Sequence, residues 1–156
     1  MFIDSNLEFA DDKAVPTTGT GTQNLMIGEI DLRPVGISDN TTVDFSAGEP
    51  IYLVIEVTTA IAGAGTQYAF SVYTDDVQTS EGATSSGTSI FDTGLSASHR
   101  TAGKRIIVTL PKADYQRYLT LHGRSDNATA PTSGKINAFI TKDVVNWTST
   151  NTRVNV

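Results

Sequence analysis

Apolar and polar residues alternate in several short runs along the chain. In Ile51–Thr59, Ile51, Leu53, Ile55 and Val57 fall on one face, and Tyr52, Val54, Glu56 and Thr58 on the other. A period of two is the strand pattern, and a fully apolar face predicts core. The mixed second face predicts partial cover. Thr66–Thr74 repeats the pattern, with Tyr68, Phe70 and Val72 on one side. The connector between these runs, Ala60–Gly65, contains glycine and has hairpin length. Lys104–Pro111 is a third strong strand, stopped by its proline. Tyr118–His122 and Lys135–Thr141 follow, the latter after the turn signal Ala130-Pro-Thr-Ser-Gly134. Weaker alternation marks Leu25–Leu32, Thr42–Phe45 and Ser89–Leu95. No stretch shows a convincing helical period.

About eight strands with turn-rich connections predict an all-β antiparallel sandwich or barrel. Composition agrees: serine and threonine supply 36 of 156 residues, alongside 13 glycines. Two polar segments, Thr17–Asn24 and Thr79–Thr88, contain no large apolar residue and are predicted to be mobile loops. The organisation expected is an N-terminal arm or first strand with a flexible linker over 1–24, a sandwich over 25–143 and a C-terminal tail over 144–156. Within the first fifteen residues, Phe2, Ile3, Leu7 and Phe9 place apolar bulk on an acidic segment. That pattern fits an edge strand of the sandwich or an arm that docks on a partner.

Charge adds an asymmetry. Residues 1–99 hold fourteen acids and two bases, a balance of −12, whereas residues 100–156 hold three acids and nine bases, a balance of +6. The whole chain is acidic, which disfavours non-specific nucleic-acid binding. The halves are expected to attract each other within the fold, or to meet between copies. The compact basic stretch Arg100, Lys104 and Arg105 is the candidate for contact with an acidic protein surface. It lacks the interleaved aromatics of a nucleic-acid platform. No apolar run is long enough to span a membrane as a helix, and the N-terminus lacks the basic and apolar regions of a signal peptide.

Candidate chemistry is sparse. There is no cysteine, so disulfides, thiolate metal sites and cysteine nucleophiles are excluded. His99 and His122 are read as surface or turn residues, because neither sits in a hydrolase or metal-binding motif. The adjacent acids Asp11-Asp12 and Asp75-Asp76 lack the spacing of a calcium loop. The expectation is a protein that is not an enzyme and has no cofactor or metal. Trp147 could anchor the tail or, with tyrosines, form a sugar platform, so a carbohydrate-binding sandwich displayed on a phage or cell surface is the alternative.

Five segments, in this order, carry a family resemblance. They are Met1–Val15, Tyr52–Ala60, Tyr68–Asp76, Arg117–Leu121 and Ser133–Asp143. Their order, spacing and chain length resemble the capsid cement, or decoration, proteins of short-tailed Bordetella-phage-type bacteriophages. The resemblance covers most of the chain and is weakest over Val77–Ala102. It implies a jelly-roll domain on the outer surface of an icosahedral virion. There it would bind the major capsid protein, as a homodimer or alternatively a trimer, and bridge neighbouring subunits. It assigns no contact residues. Phe2, Ile3, Leu7, Phe9, Arg100, Lys104 and Arg105 are therefore candidates from the residues alone.

Overall fold

A computed structural model describes residues 7–32, 50–84, 87–112 and 115–142. The described residues form eight strands: β1 (Glu8–Ala14), β2 (Leu25–Asp31), β3 (Tyr52–Ala62), β4 (Tyr68–Asp75), β5 (Thr88–Asp92), β6 (Arg105–Thr109), β7 (Tyr118–Ser125) and β8 (Ser133–Thr141). A 3₁₀ turn, Ala97–Arg100, precedes β6. The strand proposed at Thr42–Phe45 and the tail from 144 lie outside the described residues.

The strands make two antiparallel four-stranded sheets, ordered β1-β8-β3-β6 and β2-β7-β4-β5. Strand β1 pairs with β8, β2 with β7, β3 with β6 and β4 with β5. The chain is thus one long hairpin folded at the β4–β5 connection and rolled so that successive pairs alternate between sheets. That is the jelly-roll arrangement. The lateral pairs β3·β8 and β4·β7 then complete each sheet.

The core lies between the sheets, where the alternating apolar faces meet. Leu53, Ile55 and Val57 of β3 and Ile136, Ala138 and Ile140 of β8 line one side. Ile27 and Ile30 of β2, Phe70 and Val72 of β4, and Leu119 and Leu121 of β7 line the other. Each large apolar side chain buried in this way contributes about 1.5–3 kcal/mol. The second face of β3 is covered unevenly. Val54 is buried, while Tyr52, Glu56 and Thr58 are half-buried. Val54 stands opposite Phe139 of β8, and both are buried outside the inner core.

Three local features differ from the sequence reading. The Ala60–Gly65 connector does not make a hairpin, because β3 and β4 belong to different sheets. Its glycines instead allow close crossing, and a Cβ on Gly65 would lie 2.0 Å from the Ser125 hydroxyl oxygen. The Thr17–Asn24 segment, predicted as a mobile loop, is tied to the β7–β8 connection. Gly21 N–H donates to Ala128 O at 2.9 Å, and Ser125 N–H to Gly21 O at 2.6 Å. Within the second polar segment, Gly82 N–H donates to Met26 O and Met26 N–H to Ala83 O, both at 2.9 Å, so residues 82–83 bond to the edge of β2.

Candidate interaction surfaces

Strand β1 brings the N-terminal candidates into the sandwich. Its pairing with β8 makes it the edge strand of its sheet, so for Glu8–Ala14 the edge-strand reading describes what the chain does. Phe9 is 4% exposed and belongs to the inner core. It can meet a partner only if β1 leaves the sheet. Leu7, just before the strand, is half-buried against the same core. Phe2 and Ile3 lie outside the described residues.

The basic candidates are engaged with their own chain. The Arg100 guanidinium donates to the carbonyl oxygens of Ile61 at 2.8 Å and Gly63 at 3.3 Å, bracing the end of β3. Arg105 pairs with Glu56 at 2.9 Å, both side chains being about a quarter exposed. Lys104 is half-buried, and its carbonyl accepts from Val57 N–H at 2.9 Å. The stretch therefore holds β6 and the preceding turn against β3.

Charge pairing extends this pattern. Asp12 meets Lys135 at 2.5 Å, Asp31 meets Arg117 at 2.7 Å, and Asp92 meets Arg124 at 3.2 Å. With Glu56–Arg105, these pairs each join an acid from residues 1–99 to a base from residues 100–156. The rolled hairpin places the acidic half against the basic half, so the opposition seen in the sequence is met inside one chain. Arg117 also lies over the Tyr118 ring, 4.5 Å from its centre. Its hydrogen bond to Asp31 holds the Arg117 pKa above the ordinary value.

Sequence reasoning missed a polar network on the outer face of the β2-β7-β4-β5 sheet. His122 is fully buried on β7, not at the surface or in a turn. Its Nδ1 lies 3.1 Å from Asn24 O and its Nε2 2.9 Å from Thr120 Oγ1. A carbonyl can only accept, so Nδ1 carries the proton and Nε2 accepts from the Thr120 hydroxyl. The ring packs edge-on against Tyr73 at 4.8 Å. Burial holds the His122 pKa below its ordinary value, opposed by the hydrogen bond to Asn24. The Asn24 side chain donates to the Tyr73 hydroxyl at 2.7 Å and accepts from Ser71 at 3.2 Å. Ser71 also reaches Asp92 at 2.9 Å. Burial works to raise the Asp92 pKa, but bonds from Gly94 N–H, Ser71 and Arg124 outweigh it and hold the carboxyl below its usual range. The alternation of β7 was the available signal, since it puts His122 on the Thr120 face, opposite Leu119 and Leu121. Chemically this arrangement orients and fixes. The histidine is directed by a backbone carbonyl, not a carboxylate, and its hydroxyl partner Thr120 is completely buried.

His99 is also largely buried, with Nδ1 2.9 Å from Tyr68 O. Among the described residues, no group of three His, Asp or Glu side chains could hold a metal ion. A polar groove of about 560 Å³ runs between β2 and residues 78–81, crossed by the Lys13–Glu81 pair at 3.5 Å. A sugar platform would want exposed aromatics. The described tyrosines are buried (Tyr68, Tyr115, Tyr118) or half-buried (Tyr52, Tyr73), and Trp147 lies outside the described residues.

The sequence profile of the Bbp16 family, a Bordetella phage protein family, matches residues 9–140. The chain belongs to the Bbp16 family. The match runs from the second residue of β1 to the penultimate residue of β8, so it spans the entire jelly roll. No curated protein matches the chain. Membership of Bbp16 makes this a Bordetella-phage-type protein and points to a structural, virion-associated one.

Proposed function

We propose that this Bbp16 member is a non-enzymatic cement protein of the phage head. It binds the outer capsid surface and bridges major capsid protein subunits, as a homodimer, with a trimer as the alternative. The observation that carries this reading is the family match across the whole jelly roll. The physics of the fold supports it. Eight strands around one core give a rigid body, and a rigid body that binds only the assembled shell stabilises that shell by mass action. An oligomer touching several subunits multiplies weak contacts through effective concentration. With no cysteine, the reinforcement is non-covalent.

The docking segment proposed within this reading is the stretch preceding β1, with Phe2 and Ile3 as its apolar contacts and Leu7 at its root. Lys104, beside Arg100 and Arg105, supplies the basic contact to an acidic capsid surface. The test uses phage heads lacking this protein, incubated with purified full-length chain and with a variant deleted for residues 2–6. Truncation stops there because β1 begins at Glu8 and a longer deletion would remove core. The expected outcome is saturable binding of the full-length chain, resistance of the heads to heat, and loss of both on truncation. Failure of the full-length chain to bind heads would sink the reading. Unchanged occupancy of the truncated chain would remove only the docking segment.

A further inference from the structure

Every strand ladder in the described fold joins one of β1–β4 to one of β5–β8. Neither group of four contains a ladder of its own. Each is half of a complex, and nothing in that complex requires both halves to come from one chain.

The halves are matched in charge. Residues 1–75 hold eleven acids and two bases, a balance of −9, and residues 85–156 hold four acids and nine bases, a balance of +5. Three ion pairs cross between them: Asp12–Lys135, Asp31–Arg117 and Glu56–Arg105. They fall one each beside the β1·β8, β2·β7 and β3·β6 ladders.

The link between the halves includes residues 76–84, none of which is buried. Val77 is 63% exposed. The segment is held by polar ties: Thr79 N–H to the Glu29 carboxylate, the Gly82 and Ala83 bonds to Met26, and Lys13–Glu81. Releasing it uncovers no residue of its own from the core.

We infer that two copies exchange halves through this segment. Strands β1–β4 of one chain close on β5–β8 of another, giving a dimer with the same ladders, core and ion pairs as the monomer. The choice is made as the chain folds, because all six ladders must be broken to exchange afterwards. A half tethered by a short link sees its own partner at roughly millimolar concentration. The closed monomer therefore dominates in dilute solution, and exchange gains wherever folding chains are concentrated.

Two full-length variants test this. One carries Asp12→Lys, Asp31→Lys and Glu56→Lys; the other carries Arg105→Glu, Arg117→Glu and Lys135→Glu. Each variant closed on itself opposes like charges at all three sites. In the exchanged heterodimer, opposite charges face each other at all three sites of both domains. The variants are unfolded, mixed and refolded at low salt, then examined by native mass spectrometry and thermal melting. The expected result is a heterodimer outnumbering either homodimer by about tenfold or more, with a melting temperature raised towards that of the parent chain. A mixture that stays monomeric or unfolded overturns the inference, as does a statistical mixture of dimers. A heterodimer that melts no higher than its component variants also overturns it, since that is side-by-side attraction without exchange.

Discussion

Glu56 on β3 and Arg105 on β6 stand directly opposite each other in the strand register, and their side chains meet at 2.9 Å. Arg105 opens β6, the short edge strand of its sheet, so the pair sets where that strand begins against its neighbour. Because both side chains remain about a quarter exposed, water and salt weaken the pair. A double-mutant cycle with Glu56→Ala and Arg105→Ala should give a coupling of about 0.5–1 kcal/mol in urea melts, shrinking at high salt. A coupling indistinguishable from zero at low salt would mean that the ladder alone fixes the register.

This pair also shows what was legible in the sequence. The alternation of Ile51–Thr59 is local, so strand, inner face and partial outer cover could all be read from it. The −12 and +6 balance could be counted, and an attraction between halves expected. The partners could not be assigned, because pairing Glu56 with a residue 49 positions away depends on how the hairpin rolls. The same non-locality hid the crossing between β3 and β4. From its own neighbours Phe9 fitted an edge strand, with a docking arm as the other reading. What decided its place was the pairing of β1 with β8 and a core shared with the strands of the other sheet.

Where those two sheets meet at one edge, β1 approaches β2 closely. A Cβ on Gly28 would lie 1.9 Å from the Phe9 carbonyl oxygen, which is backbone and cannot turn aside. Gly28→Ala should therefore separate the strands and cost about 3 kcal/mol or more, within the range of severe overpacking. Gly94 is a contrasting position, with φ at +71° and nothing within 4 Å of an added Cβ. Gly94→Ala should cost only about 1 kcal/mol, from the left-handed backbone. Chemical denaturation of both variants checks the ranking, and equal losses would contradict the close approach.

Acid should loosen the opposite connections through Asp126. Its carboxylate accepts from the Thr66 hydroxyl at 2.6 Å, from Thr66 N–H at 2.8 Å and from Gln67 N–H at 3.0 Å, clasping the β3–β4 connection to the β7–β8 one. The Thr66 hydroxyl is the largest cause, and with the backbone bonds it lowers the pKa to about 2. The folded value lies below the ordinary 3.8, so the unfolded chain takes up the proton first as pH falls. The stabilisation is complete above about pH 4 and disappears as pH drops through about 2. Asp126→Asn should flatten the fall in the urea midpoint across that window. Among the described residues, Asp12 and Asp92, whose carboxyls are also held low, contribute to the remaining slope. An unchanged slope in the variant would show that the clasp does not form.

His122 should produce a separate loss at milder acidity. Burial holds its folded pKa below the unfolded value of about 6.5, and Asn24 and Thr120 already occupy both ring nitrogens. Below that value the unfolded chain binds a proton that the folded chain resists, so stability falls as pH drops from about 6.5 towards the folded pKa. Protonation would also turn Nε2 from an acceptor into a donor, forcing the Thr120 hydroxyl to rotate within a site closed to water. His122→Gln should lower stability at pH 7 by about 1–3 kcal/mol, because a buried polar network loses its fitted partner. The variant should nevertheless lose less than the parent between pH 7 and pH 5. Parallel pH profiles would place the titration elsewhere, and the Tyr73, Asn24 and Ser71 network would then be a packing feature without pH sensitivity.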